Sequence, residues 1–184
     1  MIKRLKKRTI KKKLITISSA LLLIPLVVVG SINYMQTEEH LSELGKTNLS
    51  NSVEMTIEMI NGLAEYVEEG ELSLEDAQEK VKEAVLGVKG ADGTRPINEN
   101  FDLGEHGYIF IVDEKGTLIA HPSSEGENLW ENEDSNGVKF IQDIIKTGQS
   151  GGGFVYYDYP LIGNESRIEE KAAYSKADEH WGWV

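Results

Sequence analysis

Cysteine is absent from the 184 residues of the chain. This absence excludes disulfide-linked scaffolds, zinc sites with cysteine ligands and thiol catalysis. It is compatible with an extracytoplasmic protein that has no disulfide bridges. Hydrophobic residues make up 40% of the sequence, which is enough for a core and excludes a disordered chain. The length predicts about one domain.

Acidic residues are also absent from residues 1–37, although this stretch contains eight of the 19 basic residues. The rest of the chain therefore holds 11 basic and all 31 acidic side chains, and its formal charge is −20. A short basic end on an acidic body excludes the chain as a whole from the nucleic-acid binders. The eight basic residues are Lys3, Arg4, Lys6, Lys7, Arg8, Lys11, Lys12 and Lys13.

Charged residues of either sign are missing from Leu14 to Thr37. About 20 helical residues cross a hydrocarbon core of ~30 Å, so residues 14–35 are long enough for a transmembrane helix. Such helices tolerate a proline like Pro25, and an aromatic residue like Tyr34 is typical of a membrane interface. A cleaved secretory signal is the alternative, but the apolar run is long and no small-x-small cleavage site follows it. We therefore predict a retained anchor.

The basic residues before this anchor predict its orientation. Positively charged flanks stay on the cytoplasmic side, so residues 1–13 are predicted to form a cytoplasmic tail and residues 36–184 an extracytoplasmic domain. The basic run could instead be a nuclear-localisation or nucleic-acid-binding patch. Its position directly before the anchor favours a topology signal in contact with anionic lipid.

Two helices are predicted at the start of the outer domain. Residues 36–69 form a long helix with two neighbouring apolar stripes, one for a core and one that contacts either a partner chain or a later loop. Gly70 is a stop signal, and Ser73 followed by Asp76 has the spacing of a capping box for a shorter helix. The first stripe contains Val53, Ile57, Ile60, Ala64 and Val67, and the second contains Met55, Met59, Leu63 and Tyr66.

From Tyr108 onward the apolar pattern becomes that of β-strands, with one helix among them. Pro122 and Pro160 are predicted strand ends, and residues 161–170 are predicted to form a polar loop. The pattern predicts an α+β fold in which helices cover an antiparallel sheet of about five strands. The last strand stops at Val184 without a turn or a polar tail, so we expect a truncated chain. The predicted strands are residues 108–112, 117–121, 154–159 and 171–176 and one beginning at Trp181.

An ordered set of short motifs resembles the single Cache sensor domain of bacterial receptors. The resemblance covers the chain from about Gln36 to its end. The motifs are Gly107–Phe110, Asp113 with Gly116, His121–Pro122, Gly126 with Asn128–Trp130, Gly152–Gly153, Tyr157 with Tyr159–Pro160, Lys171 with Tyr174, and Trp181–Trp183. A basic tail and a span before such a domain match its usual placement in methyl-accepting chemotaxis receptors, and sometimes in sensor kinases or cyclases.

The resemblance implies a long N-terminal helix on a PAS-like antiparallel sheet. It also implies a pocket on one face of the sheet for a small ligand, often a short organic acid. The chain would then be the input region of a transmembrane receptor, and we expect a homodimer through the long helix. The sequence holds one span and no signalling module, in agreement with the expected truncation.

Aromatic residues and one histidine are the first candidates for the ligand site. His121 offers a hydrogen-bond donor and an acceptor, which suit a carboxylate, or it is a core or turn histidine. Tyr157 and Tyr159 share a strand face and supply an apolar wall with hydroxyls, or they are plain core. Tyr108 and Phe110 share a face by the same rule.

Cations are the second class of candidate. Lys171 would pair with an anionic ligand as a point charge, or it is a solvated lysine that balances the neighbouring glutamates. Trp130 either closes the pocket or anchors its own loop. Arg95 and Arg167 are further cation candidates in loops.

No motif predicts catalysis, a metal or a cofactor. The acidic stretch 131–134 lacks the ligand spacing of an EF-hand loop, so a solvated loop is favoured over a calcium site. The sequence contains no nucleophile elbow, zinc-protease motif or phosphate loop, so we do not expect an enzyme. We predict the input region of a chemoreceptor for a small extracellular metabolite. The alternatives are the sensor region of a membrane histidine kinase or cyclase, an anchored dimerising domain without a ligand, and an anchored hydrolase.

Overall fold

A computed structural model of the protein describes residues 9–184. The side chains of Glu38, Glu39 and Glu165 are outside this description. Five of the eight basic residues of the predicted cytoplasmic tail, from Lys3 to Arg8, also lie outside the described residues. The chain divides into two units, Met1–Leu44 and Gly45–Val184.

The first unit contains the N-terminal part of helix α1, which spans Ile10–Glu68 and passes through Pro25. Its apolar side chains are exposed, and Leu21 and Leu22 are 72% and 74% accessible. Within residues 9–184 this is the one helix that is long and apolar enough to cross a membrane. Exposed apolar surface of this extent is unfavourable in water, so the helix agrees with the predicted anchor. The orientation of the anchor stays a prediction.

In the second unit, α1 uses the first of its two predicted stripes to cover the core. Ile60 and Ala64 are buried, whereas Met55 and Tyr66 of the second stripe are 67% and 52% exposed. The helix ends at Glu68, and Gly70 follows with a φ of 75°, a left-handed conformation that glycine adopts without strain.

Helix α2, Leu74–Val85, begins at the predicted cap. The Ser73 hydroxyl oxygen accepts the amide proton of Asp76 at 3.1 Å, which satisfies one of the unpaired N–H groups of the first turn. The apolar face of α2 is buried together with α1 and the first two strands. Its buried residues are Ala77, Val81 and Val85.

Strands β1, Ile111–Val112, and β2, Leu118–Ala120, form an antiparallel hairpin that is shorter than predicted. The pairing register shifts between the two residues of β1, so residues 108–110 lie outside the ladder. At the other end, the amides of Ser123 and Ser124 turn back to the ring of His121 and end β2 before that residue.

Strands β3, Gly153–Leu161, and β4, Asn164–Ser175, form a second and longer antiparallel hairpin. The predicted polar loop 161–170 is wrong. Leu161 pairs with Asn164, and a tight turn that contains Gly163 at a φ of 79° joins the strands. Because an exposed strand can be polar, the composition of this stretch concealed its pairing.

Pro160 lies inside β3 and does not end it, contrary to the prediction. The amide of Asp158 donates to the carboxylate of Asp134 at 3.2 Å, so it points away from β4. Pro160, two residues later, has the same orientation. Its missing N–H therefore removes no hydrogen bond from the β3–β4 ladder.

Helix α3, Phe140–Gln149, covers β3. Its apolar side chains form the second half of the core with residues from both hairpins, among them Leu118 and Val155. The buried residues of the helix are Phe140, Ile141, Ile144, Ile145 and Gly148.

The predicted single sheet of about five strands is not formed in residues 9–184, where the four strands make two separate two-stranded sheets. Val184 and Val112 exchange both backbone hydrogen bonds at 2.9 Å, so the predicted last strand does reach β1. Residues 103–111 and 169–176 both line a cavity of about 300 Å³, which we call the edge cavity. Val184 thus bonds to β1 at Val112, β4 does not pair with that strand, and the two hairpins stay separate.

Candidate ligand-binding site

Six of the seven predicted site residues come together where the two hairpins meet α3. Tyr108 and Phe110 directly precede β1, and His121 directly follows β2. On the other hairpin, Tyr157 pairs with Lys171 across the ladder. A small cavity of about 10 Å³, the aromatic pocket, is lined by Tyr108, Phe110, Leu118, His121, Leu129, Phe140, Ile141, Tyr157 and Tyr159.

The ring of His121 is buried and has a defined protonation state. Its Nδ1 accepts the amide protons of Ser123 at 3.2 Å and Ser124 at 3.0 Å. A nitrogen that accepts two N–H donors carries no proton, so the proton of the neutral ring is on Nε2. Burial, together with the positive charge of Lys171, lowers the pKa of His121 to about 4. At neutral pH the ring is therefore uncharged and presents an N–H donor, 3.2 Å from the hydroxyl oxygen of Tyr108.

The ammonium group of Lys171 is buried and has no hydrogen-bond partner among the described residues. Its Nζ lies 5.2 Å from the ring centroid of Tyr108 and 5.5 Å from that of Tyr159, so the aromatic faces stabilise the charge in part. Burial lowers the pKa of Lys171, and the charge of Glu169 opposes this shift. Three N–H donors without an acceptor are costly in a buried position, and an anion would satisfy them.

The tyrosines supply uncharged hydroxyls on an apolar surface. Burial raises the pKa of Tyr108, Tyr157 and Tyr159, so all three hydroxyls stay protonated at neutral pH. Tyr157 also stacks on Phe140 with a centroid distance of 4.6 Å. This stacking fixes one wall of the aromatic pocket.

The aromatic pocket adjoins the edge cavity, and Tyr108, Phe110 and Tyr157 line both. His121 lies on the side of the pocket, whereas Lys171 lies on the side of the edge cavity. The edge cavity is much larger, and α1, residues 103–111 and β4 contribute to its lining. The polar groups that could bind a ligand nevertheless converge at the junction of the two cavities, where we place the candidate site.

Trp130 does not line either of these cavities. It packs against the core cluster around α3, and its backbone carbonyl accepts a hydrogen bond from Gln142 at 2.8 Å. Its environment agrees with the alternative role, in which it anchors its own loop.

The two further cation candidates are also outside the junction. Arg95 is buried in ion pairs with Glu125 and Glu79, and Arg167 forms an exposed ion pair with Glu169. In the acidic stretch 131–134, the Asp134 carboxylate accepts backbone amide protons from residues 136, 138 and 158.

Sequence reasoning missed the backbone amides of Ser123 and Ser124, which orient His121, because backbone donors leave no compositional signal. It also missed the apolar lining residues Leu129 and Phe140. Their apolar character predicted only burial, and the packing of α3 on β3 decides which cavity they line.

A family model described as single Cache domain 2 matches residues 41–184. The chain belongs to this family. The resemblance stated from the sequence motifs is thereby confirmed, and the chain carries a Cache sensor domain of the kind found in chemoreceptors and sensor kinases.

Two curated relatives of this Cache chain are signalling proteins. The sensor histidine kinase MctS of Rhizobium johnstonii is 32% identical over 90 residues, which are 46% of this chain and 19% of MctS. The methyl-accepting chemotaxis protein CtpM of Pseudomonas aeruginosa is 30% identical over 84 residues, 44% of this chain and 15% of CtpM. The matched part is thus a small share of either relative.

Solved structures share the Cache fold. A Cache chemosensory domain solved for carboxylic acid recognition superimposes with a TM-score of 0.61 at 20% identity, over 79% of this chain and 92% of that one. A methyl-accepting chemotaxis protein from Vibrio parahaemolyticus gives a TM-score of 0.60 at 24% identity, over 82% and 90%. A periplasmic sensor domain of a chemotaxis protein gives 0.60 at 22% identity, over 75% and 89%.

Proposed function

We propose that this chain is the input region of a transmembrane chemoreceptor and that its Cache domain binds a small carboxylate outside the cytoplasm. The observation that carries the proposal is the buried ammonium of Lys171 without a hydrogen-bond partner, next to the neutral N–H donor of His121. A structure solved for carboxylic acid recognition by a domain of the same fold supports the choice of ligand class.

The groups at the junction suit an anion with a short apolar body. Lys171 would supply the charge, and the hydroxyl of Tyr108, which accepts the Nε2–H of His121, would donate its own proton to a carboxylate oxygen. None of the nine residues that line the aromatic pocket is acidic. Glu169, a nearby acid on β4, is already paired with Arg167. The aromatic pocket, at about 10 Å³, would admit at most one small group, and the rest of a short ligand would lie in the adjoining edge cavity.

Binding is tested on the full chain in detergent micelles by calorimetric titration and thermal melting. Acetate, propionate and pyruvate are compared with amines of the same size. A carboxylate at a hundredfold excess over its Kd should stabilise the fold by about 2.7 kcal/mol. Lys171→Met should abolish this effect, whereas Arg167→Met, a matched loss of an exposed cation, should retain it. The proposal fails if no carboxylate binds, or if Lys171→Met binds as well as the wild type.

We further propose that the domain binds its ligand without changing it. His121 uses Nδ1 to accept two amides and has no free lone pair on Nε2, so it is not available as a general base. An NMR spectrum of any bound carboxylate should show the same compound after long incubation. A new product that depends on the folded chain would contradict a purely binding role.

The proposed topology puts the basic N-terminus in the cytoplasm and the Cache domain outside. Because the chain has no cysteine, a single cysteine at the exposed position Ser150 can be labelled cleanly. A membrane-impermeant maleimide should label Ser150→Cys on intact cells. Labelling only after lysis would mean that the domain lies in the cytoplasm and would contradict the proposed orientation.

The signal is proposed to leave the site through β4 and α1 of a homodimer. Lys176, directly after β4, lies 2.5 Å from Glu54 of α1, so a shift of β4 around a ligand would move a contact on the helix. Met55 and Tyr66 offer an exposed apolar stripe for a second chain. Sedimentation should show a dimer that Met55→Lys weakens; a monomer at all concentrations would contradict it.

The input region of a membrane histidine kinase is the second candidate. The identity to a sensor histidine kinase over 90 residues favours it. The two candidates share the same site and differ in the output module. Fusing the chain to the signalling part of a known chemoreceptor, and separately to that of a known kinase, tests which output responds to acetate.

A further inference from the structure

The loop of residues 121–126, which we call the His121 loop, determines how the His121 ring is presented. The amides of Ser123 and Ser124 both donate to Nδ1 of the ring. The next residues return to β2, since the amide of Gly126 donates to the carbonyl of Leu118 at 2.7 Å. The backbone of the loop therefore orients the ring, and the position of that backbone determines which ring nitrogen carries the proton.

Arg95 holds the His121 loop at two points. Its backbone amide donates to the carbonyl of Pro122 at 2.9 Å, and its side chain binds Glu125, with Nε 2.6 Å from Oε2 and Nη2 3.4 Å from Oε1. These two points lie on either side of Ser123 and Ser124. The two amides that orient the ring are thus fixed from both directions.

The same guanidinium connects the loop to α2. Nη2 lies 2.7 Å from Oε1 of Glu79, and Nη1 donates to the carbonyl of Gly87 at 3.0 Å. The Arg95 side chain is 1% exposed and that of Glu125 is 9% exposed. A buried ion pair with several hydrogen bonds has little freedom to rearrange, so it holds the His121 loop at a fixed position relative to α2. Neither residue lines the aromatic pocket or the edge cavity.

We propose that Arg95 and Glu125 are positioning residues of the ligand site, which keep the ring proton of His121 on Nε2 and aim that donor at Tyr108, whose hydroxyl then donates to the bound anion. The part that concerns the anion rests on the proposed function; the part that concerns the ring does not. When the ion pair is broken, the loop keeps its bond from the Arg95 amide to Pro122 but loses the attachment at Glu125. The amides of Ser123 and Ser124 are then held from one side only, and Nδ1 becomes free to take a proton.

The test follows the ring nitrogens of His121 by long-range nitrogen–proton NMR of the full chain in micelles, with the His121→Asn spectrum as the assignment. The variants are Glu125→Gln and Arg95→Lys, which keep much of the size of each side chain. Both should move the titration midpoint of His121 upward by at least one pH unit and introduce a population protonated on Nδ1. The neighbouring titratable groups, Tyr108 and Lys171, are retained in both variants.

Glu131→Gln is the matched control, because Glu131 forms an exposed ion pair with Lys139 and does not contact the His121 loop. It should leave the midpoint unchanged. If Arg95→Lys does not fold, Glu125→Gln alone decides. The proposal is overturned if the folded variant has the wild-type midpoint and only Nε2 protonated.

Acetate affinity separates this inference from the proposed function. If acetate binds the wild type, Glu125→Gln should weaken it about tenfold while Glu131→Gln does not. If no carboxylate binds any variant but the His121 midpoint still moves, the proposed ligand is wrong and the positioning role of the pair stands. If acetate binds the wild type and Glu125→Gln equally, the pair does not position the site.

Discussion

Arg95 and Lys171 are two buried cations in one Cache domain, and they differ in their partners. The guanidinium of Arg95 contacts two carboxylates and a backbone carbonyl. The ammonium of Lys171 lies over the rings of Tyr108 and Tyr159 and has no hydrogen-bond partner within the described part of the chain. The N–H groups of Arg95 are bonded to acceptors of the protein, whereas those of Lys171 have no acceptor within the described residues.

On the proposed function, this difference distinguishes a cation that stabilises the fold from one that binds a ligand. Buried charges are tolerated when they are paired, and pairing makes removal of one partner damaging. A buried charge without an acceptor destabilises the ligand-free protein, and a ligand that supplies the acceptor removes this cost on binding. The two residues should therefore respond in opposite directions to substitution.

The largest expected effect comes from Arg95→Ala. This change removes from Glu125 its buried counter-charge and leaves only the half-exposed Lys89, whose Nζ lies 3.1 Å from Oε1, so it should lower the free energy of unfolding by about 3 kcal/mol. Urea denaturation of the full chain in micelles, followed by tryptophan fluorescence, measures it. A loss below about 1 kcal/mol would show that Arg95 is not a structural cation and would break the comparison.

The next effect is the pH dependence of stability due to His121, whose Nδ1, like the guanidinium of Arg95, has its hydrogen-bond partners within the protein. Its pKa is lowered from 6.5 in the unfolded chain to about 4 in the folded one. The unfolded chain therefore binds the proton first as the pH falls. Stability from this group is complete above pH 6.5 and is lost towards pH 4, by about 3 kcal/mol in total. Between pH 6.5 and pH 4, the free energy of unfolding of the wild type should fall by about 3 kcal/mol more than that of His121→Asn. An equal fall in both proteins would contradict this prediction.

Lys171→Met should act in the opposite direction to Arg95→Ala. Replacing an ammonium without an acceptor by an apolar chain of similar length should raise the free energy of unfolding of the ligand-free protein by about 1 kcal/mol. The same urea titration measures the change. If the variant is as unstable as Arg95→Ala, Lys171 is a structural residue and the distinction fails.

The smallest effect is expected for Arg167→Ala. This arginine pairs with Glu169 at the surface, where its side chain is 62% exposed. Exposed pairs contribute little, so stability should change by less than about 0.5 kcal/mol. A larger loss in the same titration would mean that exposure does not separate the cations of this domain.

The elements whose signals are local could be predicted from the sequence. The cap at Ser73 and the core stripe of α1 follow from spacing alone. The strand lengths could not be predicted, because Pro160 is tolerated only through the direction of its nitrogen, and polar residues 164–170 pair only because a tight turn precedes them. Tertiary contacts decided both cases.

The candidate site was predictable in its members but not in their chemistry. Pattern and resemblance selected His121 and Lys171. The acceptor role of Nδ1 depends on two backbone amides, and the isolation of Lys171 depends on which side chains surround it. Arg95 was a further cation candidate in a loop, whereas its burial between Glu79 and Glu125 shows that its charge is paired within the protein.

The outward edge of β3 bears on how the protein behaves at high concentration. A strand whose N–H groups point into solvent can recruit a strand from another molecule and so begin an aggregate. At two successive outward positions this domain offers no such group, because Asp134 accepts the N–H of Asp158 and Pro160 has none. Asp158 and Pro160 thus protect this part of the β3 edge against pairing with a strand of another molecule.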